Sequence, residues 1–179
     1  RQIVRALTVW QMKDRAGTVG AKGVGPLLRD ILANCNAKGH LVGHSYGGAL
    51  ALKLAAMYPD RVNSVAVFEP VLFRVLLDYN PRDVASTEVR VAAASIQHWL
   101  ELGHTERSAE RFVNFWSGAG SWATMPANHQ QVIAARMPSV VAHFLALFSD
   151  SMTRDTLTQL HMPVLCLTGE KSRATTRRL

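Results

Sequence analysis

Ser45 stands between two glycines, Gly43 and Gly47, in the stretch HLVGHSYGG that begins at His40. A serine hydroxyl attacks a carbonyl when a base takes its proton and well-placed donors hold the oxyanion that forms. The surrounding residues suit that use. The apolar HLVGH reads as a short buried strand that ends at the serine. Immediately after it, GGALALKLAAMY reads as a helix, with Leu50, Leu54 and Met57 on one side. PDRV ends the helix, and SVAVFEP, from Ser64 to Pro70, is a second short apolar strand of the buried type. A chain that turns from strand to helix within so few residues holds the serine in a strained conformation at the strand's carboxyl end. Glycines two residues to either side remove side chains that would collide there. The backbone N–H of Tyr46 then points toward the place where an oxyanion forms, and the helix N-terminus favours negative charge. Taken alone, a Gly-x-Ser-x-Gly string is no more than a glycine-rich turn with an idle serine. The strand before it and the helix after it raise it above that.

These residues need a frame. Pro26 is well placed to open a helix, with Leu27, Leu28, Ile31 and Leu32 on one face and NCNAKG as its stop. Ahead of it, Ile3 to Trp10 give an apolar segment that fits either a strand or a helix. Gly17, Gly20, Gly23 and Gly25 make a loop that matches no dinucleotide or phosphate fingerprint. From Val71 to about Gln159 the pattern is helical throughout, in segments separated by Gly, Pro and Asn. MPVLCLTGE, Met162 to Glu170, returns as an apolar strand. Strands alternating with helices predict an α/β fold, a parallel sheet flanked by helices on both faces. The expected organisation is a first part of the core sheet with the nucleophile turn in residues 1–70, an inserted helical cap in 71–159 and a second, truncated part of the sheet in 160–179.

The run LVGHSYGGALALKLAAMYPDRVNSVAVFEP resembles the nucleophile-elbow region of the α/β-hydrolase fold. MPVLCLTGE resembles the strand that precedes this family's usual acid loop, and FVNFWSGAGSW resembles the cap of one group of its bacterial members. The resemblance covers residues from about 26 to 179. It implies a serine hydrolase that forms an acyl-enzyme on Ser45, with the Tyr46 N–H in the oxyanion hole, an ester-like or other small acyl substrate, and no metal or organic cofactor. It also implies a histidine base oriented by an acid, in the chain order Ser, acid, His. The acid has two candidate positions. Members of the family often carry Asp two or three residues after the glycine of the acid loop, but here the residues are Gly169-Glu170-Lys171-Ser172. Glu69, 24 residues after Ser45, lies at the end of the neighbouring strand, an arrangement that resembles haloalkane dehalogenases. Glu69 is the preferred acid, with neither carboxylate and Glu170 as the alternatives.

None of the seven histidines fits the base. His40 and His161 open strands, at the wrong end of the sheet, and the tight turn aims His44 away from Ser45. His98, His104, His129 and His143 fall in the helical block, where exposed or capping roles are expected. The base is therefore expected beyond Leu179. The family's early Gly-containing oxyanion loop is also missing from residues 1–25, so the chain is expected to be a fragment with a truncated or misread front. The helical block carries Trp99, Trp116, Trp122, Phe112, Phe115, Phe144 and Phe148, rings expected mostly to form the cap's own core. WSGAGSW suits a bend over a site. A non-catalytic ligand-binding member of the same fold, and an inactive remnant of a hydrolase, are the rival readings.

Composition narrows the classes. A length of 179 residues supports one domain with a sizeable core. The net charge of +7 lies at the two ends: six Lys/Arg against two Asp in residues 1–30 and four against one Glu in 170–179, with ten of each sign between them. A nucleic-acid surface would gather its positive charge on one folded face, so no nucleic-acid partner is expected. No apolar run has the length to cross a bilayer, and no signal segment opens the chain. Cys35 and Cys166 sit among apolar residues without metal-type spacing, which predicts two buried free thiols and suits a reducing, cytoplasmic setting. With only three clear strands, unpaired sheet edges predict poor solubility for the isolated chain.

Overall fold

In a computed structural model, residues 38–170 and 172–177 are described. The expectations for residues 1–37, including the glycine loop, the helix opened by Pro26 and the burial of Cys35, lie outside the described residues. Strand β1 (Gly39–His44) runs into helix α1 (Tyr46–Met57) through Ser45 alone. A single 3-10 turn, Pro59–Arg61, ends the helix where Pro59 removes a donor, and β2 (Val62–Phe68) follows. Helices α2 (Phe73–Tyr79), α3 (Val84–Glu101), α4 (Thr105–Ser117), α5 (Ala127–Ala135), α6 (Met137–Phe148) and α7 (Arg154–Thr158) come next. Strand β3 (Val164–Leu167) and the short α8 (Ala174–Arg177) complete the order.

The three strands form a parallel sheet in the order β1-β2-β3. Its register fixes the site: His44 pairs with Phe68, and Phe68 with Leu167, so all three strands end level. This is the α/β architecture read from the sequence, a parallel sheet flanked by helices. Val65 and Val67 point to the face that α1 covers and are almost fully buried. The side of α1 that packs is made of Ala49, Ala51, Leu52 and Ala55, small residues that let the helix lie close to the strands. The side shared by Leu50 and Met57 is exposed, the reverse of a simple apolar-face reading.

The expectation of strands buried on both faces is corrected. Val42, Phe68, Leu165 and Leu167 share the opposite face by alternation and register, and all are exposed, Val42 at 82%. Cys166, expected to be buried, is also exposed on β3, although the atoms around it push its thiol pKa up by partial desolvation. A run of apolar residues does not report which of its faces another element covers.

The helical block shares one hydrophobic core with α1 and β2, and residues 39–179 form one compact unit. Phe73 is at its centre, ring against ring with Phe144 (5.5 Å), Phe148 (5.3 Å) and Trp116 (6.5 Å). Asp83 caps α3 by accepting from the Ala85 N–H at 3.1 Å. In the buried seam between α3 and α4, the Ser108 hydroxyl donates to the Ile96 carbonyl at 2.7 Å. Gly118 and Gly120 adopt positive φ, 103° and 82°, and turn the chain between Trp116 and Trp122. Lys53 and Asp150, 2.8 Å apart, tie α1 to the segment after α6. Among the described residues no single helix is long and apolar enough to cross a membrane.

Candidate active site

The backbone of Ser45 is the first observation. Its φ of 55° and ψ of −122° lie where a side-chain-bearing residue pays roughly 1–3 kcal/mol. Neighbouring contacts hold it there. The Ser45 N–H donates to the Phe68 carbonyl of β2 at 3.0 Å. Its own carbonyl accepts from Gly48 (3.0 Å), Ala49 (3.2 Å) and Val71 (3.4 Å). The elbow is thus pinned both to its own helix and to the exit of the next strand. Tyr46 is the first residue of α1, so its N–H belongs to the donors that a helix leaves without an internal acceptor.

The glycines divide the work unevenly. A Cβ on Gly43 would lie 2.3 Å from the Gly47 carbonyl oxygen and 2.7 Å from Gly48 Cα. Only glycine fits at that position. A Cβ on Gly47 would meet nothing within 4 Å, whereas one on Gly48 would press on Pro70 Cβ at 3.1 Å. The expectation that Gly47 relieves a collision is therefore corrected: Gly48 faces the buried Pro70, and Gly47 points away from it.

Glu69 follows β2 as Ser45 follows β1. Because His44 and Phe68 are paired, the two residues leave adjacent strands at the same level, on strands about 4.8 Å apart. Among the described residues Glu69 is the other non-glycine residue with positive φ, at 47°, and its N–H donates to the Leu167 carbonyl of β3 at 2.8 Å. Its side chain reaches across the end of β3. There Oε1 accepts from the Gly169 N–H at 3.3 Å and from the Ser172 hydroxyl. Glu170, the alternative acid, is exposed, and its carbonyl accepts from Arg177 at 3.4 Å. The acid loop is in turn fastened to the helical block: Arg173 Nε donates to the Phe115 carbonyl, and its guanidinium lies 4.3 Å from the Phe115 ring centre.

Two histidines adjoin the elbow through their rings. His44 stacks on Phe68 at 5.4 Å, on the face away from α1. His143 of α6 stacks on Tyr46 at 4.4 Å. An exposed or capping role was expected for His143; instead it is half-buried, and burial lowers its pKa from the usual 6.5. Neither this stack nor the Ser172 contact carries a sequence signal, because each joins residues about a hundred positions apart. Among the described residues no group of three His, Cys, Asp or Glu side chains could hold a metal ion.

A family model described as the alpha/beta hydrolase fold matches residues 32–176. Among solved structures, the chain is similar to a "probable hydrolytic enzyme" from Pseudomonas aeruginosa, at 21% identity and a TM-score of 0.40. That match covers 83% of this chain and 47% of the other, so the chain spans about half the length of this relative. No curated protein matches the chain.

Proposed function

The chain belongs to the α/β-hydrolase family, and we propose that it carries the nucleophile and acid of a serine hydrolase acting on an ester-like or other small acyl substrate. The Ser45 hydroxyl oxygen attacks the substrate carbonyl as its proton passes to a histidine that Glu69 orients. The Tyr46 N–H holds the oxyanion that forms, aided by the positive end of α1. The histidine returns the proton to the leaving alcohol, and the acyl group remains on Ser45. Water, deprotonated by the same histidine, then releases the acid. No metal or organic cofactor enters this sequence. In this reading the helices between β2 and β3 act as the cap, and their aromatic core favours an apolar acyl group.

The observation that carries the proposal is the strained Ser45 backbone, at a turn where every neighbouring contact supports a conformation that a plain strand–helix connection does not need. Strain of that kind persists only where the surroundings hold it, and it clusters at active sites. The test is a rapid-mixing assay with p-nitrophenyl acetate, on protein expressed from its complete reading frame. The expected result is a burst of about one p-nitrophenol per molecule, lost in Ser45→Ala. Steady release without a burst, unchanged in Ser45→Ala, would refute the proposal.

A further inference from the structure

We propose that Ser172 is a positioning residue that fixes the rotamer of the Glu69 carboxylate. The inference rests on the reading of Glu69 as the catalytic acid. Glutamate has three rotatable side-chain bonds and loses considerable entropy when held in one place. Glu69 directly follows β2, yet its carboxylate sits over the exit of β3. Two donors meet it there on a single oxygen: the Ser172 hydroxyl and the Gly169 N–H, both on Oε1. That leaves Oε2 as the oxygen for a third donor, the role of an acid that orients a histidine.

The loop is shaped around this contact. The Ser172 N–H donates to the Gly169 carbonyl at 3.0 Å and closes the turn. A Cβ on Gly169 would stand 2.7 Å from Ser172 Oγ and 3.1 Å from Glu69 Oε1, so the close approach requires glycine. The next residue, Arg173, is clamped to the Phe115 carbonyl and lies 3.6 Å from Glu88 of α3. Ser172 is therefore held from both sides. It stands three residues after Gly169, where the family resemblance implies an aspartate. A hydroxyl from β3's loop and a carboxylate from β2 together occupy that place.

The test uses protein expressed from its complete reading frame and p-nitrophenyl butyrate hydrolysis. Glu69→Gln comes first and is expected to lose about 10⁴-fold in kcat. Full activity there would remove the acid reading and this inference with it. Given that loss, Ser172→Ala is expected to lower kcat about 10-fold at unchanged KM, the scale of one hydrogen bond to a charged group. Ser172→Thr and Ser172→Val have nearly the same shape and differ by the hydroxyl, so they decide the matter even if the alanine variant misfolds. Thr is expected to exceed Val about 10-fold in kcat. Equal rates in that pair, with Glu69→Gln inactive, would overturn the positioning role while leaving Glu69 as the acid.

Discussion

Replacing Gly43 by alanine adds one methyl group, which makes it a sharp probe of the elbow. The new Cβ would lie 2.3 Å from Gly47 O, 2.6 Å from Gly47 C and 2.7 Å from Gly48 Cα. Ordinary carbon contacts are about 3.5–4.0 Å, so the first turn of α1 must retreat by about 1 Å. No side-chain rotation can relieve it, because all three atoms are backbone. Overpacking by a methylene costs about 1–3 kcal/mol where neighbours can adjust, and backbone neighbours place Gly43→Ala at about 3 kcal/mol. With a urea slope of about 1–3 kcal/mol per molar, the midpoint should fall by about 1–3 M. Gly47→Ala is the internal control. Its Cβ meets nothing within 4 Å, and it lies within α1, so it should stabilise by about 0.5–1 kcal/mol. The assay is urea unfolding of the three proteins followed by circular dichroism. A Gly43→Ala midpoint equal to wild type, or equal losses at both glycines, would refute the geometry described for the turn.

The lowered pKa of His143 has a pH consequence. The unfolded state takes up its proton near pH 6.5 and the folded state only at lower pH, so this contribution is complete above pH 6.5 and is lost as pH falls through the interval below it. His143→Phe keeps a ring on Tyr46 and should lose less melting temperature than wild type between pH 7.5 and 5.5; equal losses would contradict the burial of His143. The Thr175 hydroxyl is fully buried and has no hydrogen-bond partner among the described residues, so Thr175→Val should raise stability by about 1 kcal/mol in thermal melts, and a loss of that size would show a partner there. Ser108→Ala should cost about 1 kcal/mol by the same measurement, because it removes a buried hydrogen bond between α3 and α4; no change would argue against the α3–α4 seam. The exposed face of Val42, Phe68, Leu165 and Leu167 should bind a hydrophobic dye in the 179-residue chain, and Val42→Thr with Leu165→Thr should reduce the signal; an unchanged signal would place the dye elsewhere.

What could be read from sequence followed from local rules. The Gly43-x-Ser45 turn was legible because a strand, a tight reversal and a helix each leave a mark within a dozen residues. Glu69 was legible because the next apolar strand ends in an acid, and parallel register brings its end level with Ser45. The rest depends on what lies across the fold. Ser172 meets Glu69 from 103 residues away, and His143 meets Tyr46 through the docking of α6. Gly48 rather than Gly47 makes the close approach, because only the position of Pro70 decides which of two adjacent glycines is crowded. Cys166 and the outer sheet face sit in apolar sequence yet are exposed, since hydrophobicity records a preference for cover and not the cover itself.

The central claim is that Ser45 is an activated nucleophile, and active-site-directed labelling tests it most directly. Protein from the complete reading frame would be treated with a fluorophosphonate probe, digested and mapped by mass spectrometry. The account predicts one label per molecule, on Ser45, formed within minutes, slowed at least about 10³-fold in Glu69→Gln and absent from Ser45→Ala. Labelling spread over other serines, or a Ser45 no more reactive than an exposed serine such as Ser149, would contradict it.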